Sequence, residues 1–307
     1  MITALAGGVG AAKFLSGLVK IVDPKDLSVV VNTGDDVEMY GLHVSPDLDI
    51  VSYTLAGIVD ETKGWGIGGD TFNFLDALQR LGFEAWFKIG DRDLATNVYR
   101  TVRLKQGFKL SQVTAEISKS LGLTTKILPM TDDNFVTNIV TTEKTMHLQE
   151  YLVKRGARDE VLGVEFVGAA TAQPADGVLE AIENSDLVVI CPSNPVVSIG
   201  TILQVGGIRD ALKRSKAQKV AISPIVAGAP LKGPADKLLR GLGFEVSASS
   251  VAKLYADFLD CFVIDLNDEQ EKERIEQIGP QVKVTNIVMK NLEDKVQLAK
   301  CILELLH

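Results

Sequence analysis

Short runs of apolar, often β-branched residues recur along this chain, and each is followed by glycine, asparagine, serine or aspartate. Residues 2–6 (ITALA), 29–31 (VVV) and 187–191 (LVVIC) show no polar alternation. That is the pattern of strands buried on both faces, as in parallel sheets covered by helices. Between these runs apolar residues fall three and four apart. Phe14, Leu18 and Ile21 do so within 11–22, Phe72, Leu75 and Leu78 behind Asp70-Thr71, and Val113, Ile117 and Leu121 within 112–121. Such spacing gathers the apolar side chains on one helical face. Further strands are expected at 84–89, 162–167, 220–223, 261–266 and 282–288, and further helices at 50–58, 177–183 and 292–306, the last capped by Asn291. Strand–helix alternation of this kind predicts an α/β fold, Rossmann-like, with a mainly parallel sheet and helices on both faces. Between 94 and 156 the texture changes to helices at 94–105, 112–121 and 146–155 around extended stretches at 126–130 and 135–142. We expect an inserted small, mostly helical subdomain there, with the α/β core formed by 1–93 and 157–307.

Composition narrows the picture. The 307 residues are 46% hydrophobic with a formal net charge of −8, so a nucleic-acid partner is not expected. No apolar run approaches the ~20 residues of a membrane-spanning helix. Met1 leads straight into the first strand with no basic segment before it, which predicts a cytoplasmic protein. Three scattered cysteines and three histidines do not make a structural zinc site.

The chemistry is expected in the loops at the carboxyl edge of the sheet, where open α/β sheets bind ligands. Gly7-Gly8-Val9-Gly10 stands between a strand and a helix, a setting that favours phosphate at the helix N-terminus. Lys13 stands where a dinucleotide fingerprint needs a third small residue, Asn32 where it needs an acid, and Phe14 where a Walker loop needs Ser or Thr. A phosphate cradle with Gly8, Gly10 and Lys13 at its mouth remains; the plainer reading is a tight turn with a surface lysine. Asn32-Thr33-Gly34 then releases Asp35 and Asp36, and Asp47 and Asp49 follow behind Pro46. Four carboxylates in one loop suit a hard cation or a hydroxyl to be deprotonated; the plainer reading is a solvated acidic loop. Lys88 stands among Trp86, Phe87 and Ile89, where a lysine either snorkels to solvent or faces a ligand. The glycine-rich loop around Trp65, the Lys88–Arg92 loop and Ser193-Asn194 complete a set that points to an enzyme acting on a phosphorylated nucleotide.

AGGVGAAK, VNTGDD, GLHVSPDLDIVSYTLAG, GWGIGGDT, WFKIGDRDLAT, PMTDD, CPSNPVVSIG and SPIVAGAPLKGPA occur in this order over nearly the whole chain. Together they resemble the 2-phospho-L-lactate transferase family of coenzyme F-420 biosynthesis. The resemblance implies a Rossmann-like core and a magnesium-dependent transfer of a phospholactyl group. The donor would be lactyl-2-diphospho-5′-guanosine and the acceptor the primary hydroxyl of the deazaflavin Fo, with release of GMP. It implies Asp49 and Lys88 as Fo contacts, with Arg92 and Trp65 as further candidates beside Fo. Gly8, Gly10, Lys13 and Asn32 would lie near the diphosphate and Ser193-Asn194 near the guanine. Asp35, Asp36 and Asp49 are the candidate magnesium ligands, and Asp49, Asp35 and Lys13 the candidate catalytic groups; a homodimer is expected. Bacterial relatives use an enolpyruvyl donor in place of the lactyl one. Three positions depart from the family pattern: Val9 where Thr is common, Ile50 where Thr often follows Asp49, and Asn97 in place of a common His.

Overall fold

The computed structural model describes residues 1–306. Its strands are β1 (Ile2–Ala6), β2 (Leu27–Val31), β3 (Val37–Met39), β4 (Leu42–Val44), β5 (Lys126–Pro129), β6 (Val136–Thr141), β7 (Thr145–His147), β8 (Val161–Val167), β9 (Leu187–Ile190), β10 (Gln218–Ile222), β11 (Ile225–Val226), β12 (Ala229–Pro230), β13 (Cys261–Ile264) and β14 (Gln281–Val284). Seven of them form one sheet in the order β14-β13-β10-β9-β1-β2-β5. Every pairing in it is parallel. The apolar runs at β1, β2, β9 and β13 are buried along their whole length, as strands covered on both faces require. Alternate residues feed two cores. Leu5, Val30, Val188 and Phe262 point into one, and Ala4, Val29, Val189 and Val263 into the other.

The path of the chain fixes where a ligand can bind. From β1 it moves outward through β2 to β5, then returns to the far side of β1 and moves outward the other way through β9, β10, β13 and β14. The loops after β1 and β9 therefore diverge and leave a crevice at the carboxyl edge, where the strand order reverses.

The helices that shape this crevice are α1 (Gly8–Leu18), α2 (Pro46–Leu55), α3 (Asn73–Arg80), α4 (Asp91–Lys105) and α5 (Leu110–Ser120). The C-terminal helix, Leu292–Leu303, has the capping box expected at Asn291 and lies against α1. A Cβ at Gly17 would stand 2.5 Å from the Lys295 carbonyl, so only glycine allows that approach.

Four expectations need correction. Residues 84–89 are not a strand, because the edge beside β2 is taken by β5. Trp86 and Phe87 instead pack edge to face, 5.8 Å apart, beside Met39, Val44 and Ile89. Residues 162–167 do form a strand, but in a separate antiparallel sheet ordered β7-β6-β8. β8 buries only part of its length, which such a two-layer edge tolerates and the centre of a parallel sheet does not. The helix expected from 50 starts at Pro46, since proline suits the first helical position; Asp47 and Asp49 thus sit in its first turn and not in a loop. Residues 146–155 run from β7 into a π-helical turn at Glu150–Lys154. Within 94–156, α4 and α5 are followed by β5, which belongs to the main sheet, and by β6 and β7.

Candidate active site

The crevice is a cavity of about 660 Å³, lined from the loops after β1, β2, β9, β12 and β14 by Gly8, Asp35, Ser193, Lys232 and Lys290 among others. The glycines of the first loop are there for contact. A Cβ at Gly10 would stand 2.2 Å from the Pro192 carbonyl oxygen, and one at Gly7 would stand 2.6 Å from Ser198 Cβ. The Gly7 N–H donates to Ser193 Oγ at 3.1 Å, tying the β1 and β9 loops together. Gly7 gives α1 no side-chain cap; the Gly8 amide turns to the Asp47 carboxylate, and the amides of Val9 and Gly10 with the positive end of the dipole are left to the cavity. Lys13, one turn further on, is exposed at the cavity wall. Asn194 lines the cavity too, with its side-chain oxygen accepting the N–H groups of Val196 and Val197 at 3.0 and 3.2 Å.

A second cavity of about 920 Å³ opens beside the first and carries Tyr53, Trp65, Trp86 and Phe87 with Asp49, Lys88 and Asp93. The two share a wall that includes Gly8, Val9, Asp35, Asp47 and Lys232. At that wall one side chain holds two carboxylates. Asn32 Nδ2 donates to Asp35 Oδ1 at 2.8 Å and to Asp47 Oδ2 at 3.0 Å, and Gln149 Nε2 donates to Asp35 Oδ2 at 2.9 Å. Burial pushes the pKa of Asp35 well above the usual carboxylate range, and the charges of Asp47 and Asp36 add to it. Burial also raises Asp47, to about 7, against hydrogen bonds from Asn32 and the Gly8 amide.

Beneath the second cavity runs a buried chain of polar groups. Asp49 receives both terminal nitrogens of Arg100, Nη1 at 3.1 Å. Arg100 is 2% exposed and donates through Nη1 to Asn97 Oδ1 at 2.8 Å. Asn97 Nδ2 donates to the Asp93 carbonyl oxygen at 3.0 Å, and Asp93 Oδ1 accepts from the Tyr53 hydroxyl at 2.8 Å. Burial raises the pKa of Asp49 despite the pull of Arg100. Asp93 is raised to about 7, first by burial and then by the charge of Asp49.

The structure thus brings Gly8, Gly10, Lys13, Asp35, Ser193 and Asn194 to the first cavity and Asp49, Trp65 and Lys88 to the second. Three candidates lie elsewhere. Asn32 is fully buried and lines neither cavity; it clamps carboxylates. Asp36 accepts from Ser45 Oγ at 2.6 Å and pairs with His43 Nε2 at 2.9 Å, away from both cavities. Arg92 turns outward, 58% exposed, with Nη2 on the Gly68 carbonyl. Its neighbours in GDRD hold the loop instead. Asp70 accepts the N–H groups of Arg92 and Asp93, and Asp91 those of Asn73 and Phe74. Lys88 is exposed at the rim of the second cavity. Arg100 and Lys232 are not marked as site residues by the sequence, and Asp47 only as one of the four carboxylates of its stretch. The 4- and 3-residue steps between Asp93, Asn97 and Arg100 were a legible sign of one polar helix face, while the partner of Arg100 was not.

A sequence model of the family described as 2-phospho-L-lactate transferase CofD matches residues 2–300 of the chain. The chain belongs to the 2-phospho-L-lactate transferase family. It is 42% identical over 303 residues to the 2-phospho-L-lactate transferase of Methanothermobacter thermautotrophicus, covering 99% of this chain and 97% of that one. It is also 42% identical over 311 residues to the phosphoenolpyruvate transferase of Kitasatospora aureofaciens, with the same coverage of 99% and 97%. Among solved structures, a member of the UPF0052 family from Bacillus halodurans superposes with a TM-score of 0.65 at 17% identity, covering 98% of both chains; the likeness is one of fold. Among the described residues no helix is long and apolar enough to cross a membrane.

Proposed function

We propose that this protein transfers a phosphorylated three-carbon acid from a guanosine diphosphate carrier to the hydroxyl of the deazaflavin Fo, releasing GMP, in coenzyme F-420 biosynthesis. The observation that carries this reading is the pair of cavities with one common wall. The first offers helix N-terminal amides and lysines to a diphosphate. The second offers Trp65, Trp86, Phe87 and Tyr53 to a flat aromatic ring system. Their meeting at Asp35 and Asp47 sets an acceptor hydroxyl against a donor phosphorus. The reading covers lactyl and enolpyruvyl donors alike, because relatives under either name are 42% identical to the chain.

The residues present fit magnesium in a reduced form. Among the described residues no group of three or more His, Cys, Asp or Glu is placed to hold a metal. Magnesium commonly takes one or two protein carboxylates and fills its shell with water and substrate phosphate, and two buried carboxylates with raised pKa values face the cavities at Asp35 and Asp47. Those two would hold it; Asp36 and Asp49, already engaged by His43 and Arg100, would not. When bound, magnesium neutralises charge on the donor phosphates. The protein's own groups position the reactants. α1 and Lys13 orient the diphosphate, the Arg100–Asp49 pair fixes the floor of the acceptor cavity, and an Asp35 or Asp47 oxygen lies where the hydroxyl proton can be received.

Incubation with Fo, magnesium and each donor in turn should release GMP in step with consumption of Fo; no GMP from either donor, or GMP without loss of Fo, would overturn the reading. Two further outcomes are expected. GDP should bind more tightly than ADP at the Ser193-Asn194 end by roughly 5- to 150-fold, since a mismatched buried hydrogen-bonding edge costs about 1–3 kcal/mol; equal affinities by calorimetry would remove base recognition. Lys88→Met should raise the Michaelis constant for Fo only a few-fold and spare kcat, because an exposed charge contributes roughly 0.2–1 kcal/mol. An unchanged constant in steady-state kinetics would take Lys88 out of the acceptor site.

A further inference from the structure

The loop between β12 and the helix Ala235–Gly241 carries Lys232, and this lysine occupies a position that no other cation shares. Lys13 and Lys290 line only the first cavity, and Lys88 and Lys237 only the second. Lys232 alone lines both. Lys237 is in any case committed, its ammonium donating to the Ala157 carbonyl. The Lys232 ammonium lies against Gly64 of the Trp65 loop. A Cβ at Gly64 would stand 3.4 Å from Lys232 Nζ and 3.5 Å from a Val9 methyl carbon, so the ammonium and the first turn of α1 (Gly8–Leu18) both border the same glycine of that loop. Covering by the surrounding loops lowers its pKa, and the charge of Lys13 lowers it further. Among the described residues no carboxylate pairs with it, although Asp35 and Asp47 stand in the same wall. Lys232 is solvent-accessible, and an ammonium without a counter-ion at the junction of two cavities is free to meet an anion that enters either of them.

We infer that Lys232 is a catalytic residue that contacts the phosphoryl group in transfer. The inference rests on the reading of the two cavities as donor and acceptor sites. If the diphosphate lies in the first and the acceptor hydroxyl enters from the second, the reacting phosphorus must lie where they meet. In the step itself the hydroxyl oxygen forms a bond to the phosphorus that bears the three-carbon acid. The bond from that phosphorus to the bridging oxygen breaks, and its electron pair leaves on GMP. The hydroxyl proton passes to the carboxylate side of the wall. Negative charge gathers on the equatorial and bridging oxygens, and a cation at the junction of the cavities stabilises it there more than in the bound ground state.

The test compares wild type, Lys232→Met and Lys232→Arg by GMP release and by calorimetric binding of inorganic pyrophosphate. Removing one such electrostatic donor costs about 10²–10³-fold in rate, so Lys232→Met should lose kcat by that factor with the Michaelis constant for Fo within a few-fold. Lys232→Arg should recover part of the loss. Pyrophosphate should bind more weakly to Lys232→Met than to wild type and regain affinity in Lys232→Arg. Wild-type kcat in Lys232→Met would overturn the inference, as would unchanged pyrophosphate affinity or a wild type that binds none. If wild type releases no GMP from either donor, the proposed function fails, while the pyrophosphate comparison still decides whether Lys232 serves an anion at this wall. Lys232 is exposed on a loop, and matching thermal midpoints for the three proteins would confirm that folding is not the cause.

Discussion

Replacing Arg100 by leucine should lower the unfolding free energy by about 3–5 kcal/mol, the cost of leaving a buried charge without its partner. Arg100 is among the largest fully buried side chains of the protein, and its guanidinium holds Asp49 through both terminal nitrogens. Its Nη1 also donates to Asn97. Leucine at this position leaves the Asp49 carboxylate, 6% exposed, with no cation, and frees the Asn97 oxygen as well. Two outcomes of chemical denaturation distinguish this from simple loss of packing. The double variant Arg100→Leu with Asp49→Leu should regain much of the loss, because apolar groups in place of both charges remove the desolvation problem. Arg100→Leu alone should also become less destabilised at acid pH, where Asp49 is protonated. A loss below about 1 kcal/mol in the single variant would mean that the pair contributes little.

Asp47→Asn should move stability and activity in opposite directions. In the folded protein Asp47 is raised to about 7 from an ordinary value of 3.8, so the folded state binds the proton more tightly than the unfolded state does. Stability from this group is therefore greatest below pH 4 and declines as pH rises toward 7, on the order of 4 kcal/mol across the interval. Asparagine keeps the size and a hydrogen-bond acceptor for Asn32 but carries no charge. The variant should unfold at a higher temperature than wild type at pH 7 to 8, and the fall of its midpoint between pH 4 and 7 should be shallower. Magnesium should raise the midpoint of wild type more than that of the variant. Transfer should drop by about 10²–10⁴-fold, the range for loss of a group that receives a proton in the reaction. A variant less stable than wild type at pH 8, or one of wild-type rate, would contradict this account of the wall.

What the sequence discloses depends on whether the cause is local. ITALA, VVV and LVVI read as central strands because burial on both faces leaves no polar position in the run. The glycines at 7, 8 and 10 read as a loop against a helix start for the same reason: the constraint lies within a few residues. Residues 84–89 look equally strand-like, yet whether such a segment joins a sheet is decided by which other strand takes the edge, and here Lys126–Pro129 does. Asp49 stands out in SPDLD as an acid beside apolar residues, but its pairing with Arg100 spans 51 positions and has no local mark. Asn32 illustrates the converse. Its place at the end of β2 suggests a ligand contact, and its side chain instead holds Asp35 and Asp47 together. Lys232 follows two positions behind a proline in an unremarkable turn, and only the convergence of two cavities gives it meaning.

The wall common to the two cavities also bears on how the acid is carried through the reaction. Its nucleophiles are the carboxylates of Asp35 and Asp47 and the amine of Lys232, so the proposed transfer has two routes, direct displacement or passage through an acyl phosphate on one of the aspartates. In the direct route the configuration at phosphorus would invert in a single displacement, whereas two displacements through an aspartate would retain it, so a donor chiral at phosphorus separates the two. Under direct displacement the three-carbon unit would belong at every moment to one small molecule or the other, and the protein would hold no loaded covalent form that water could discharge.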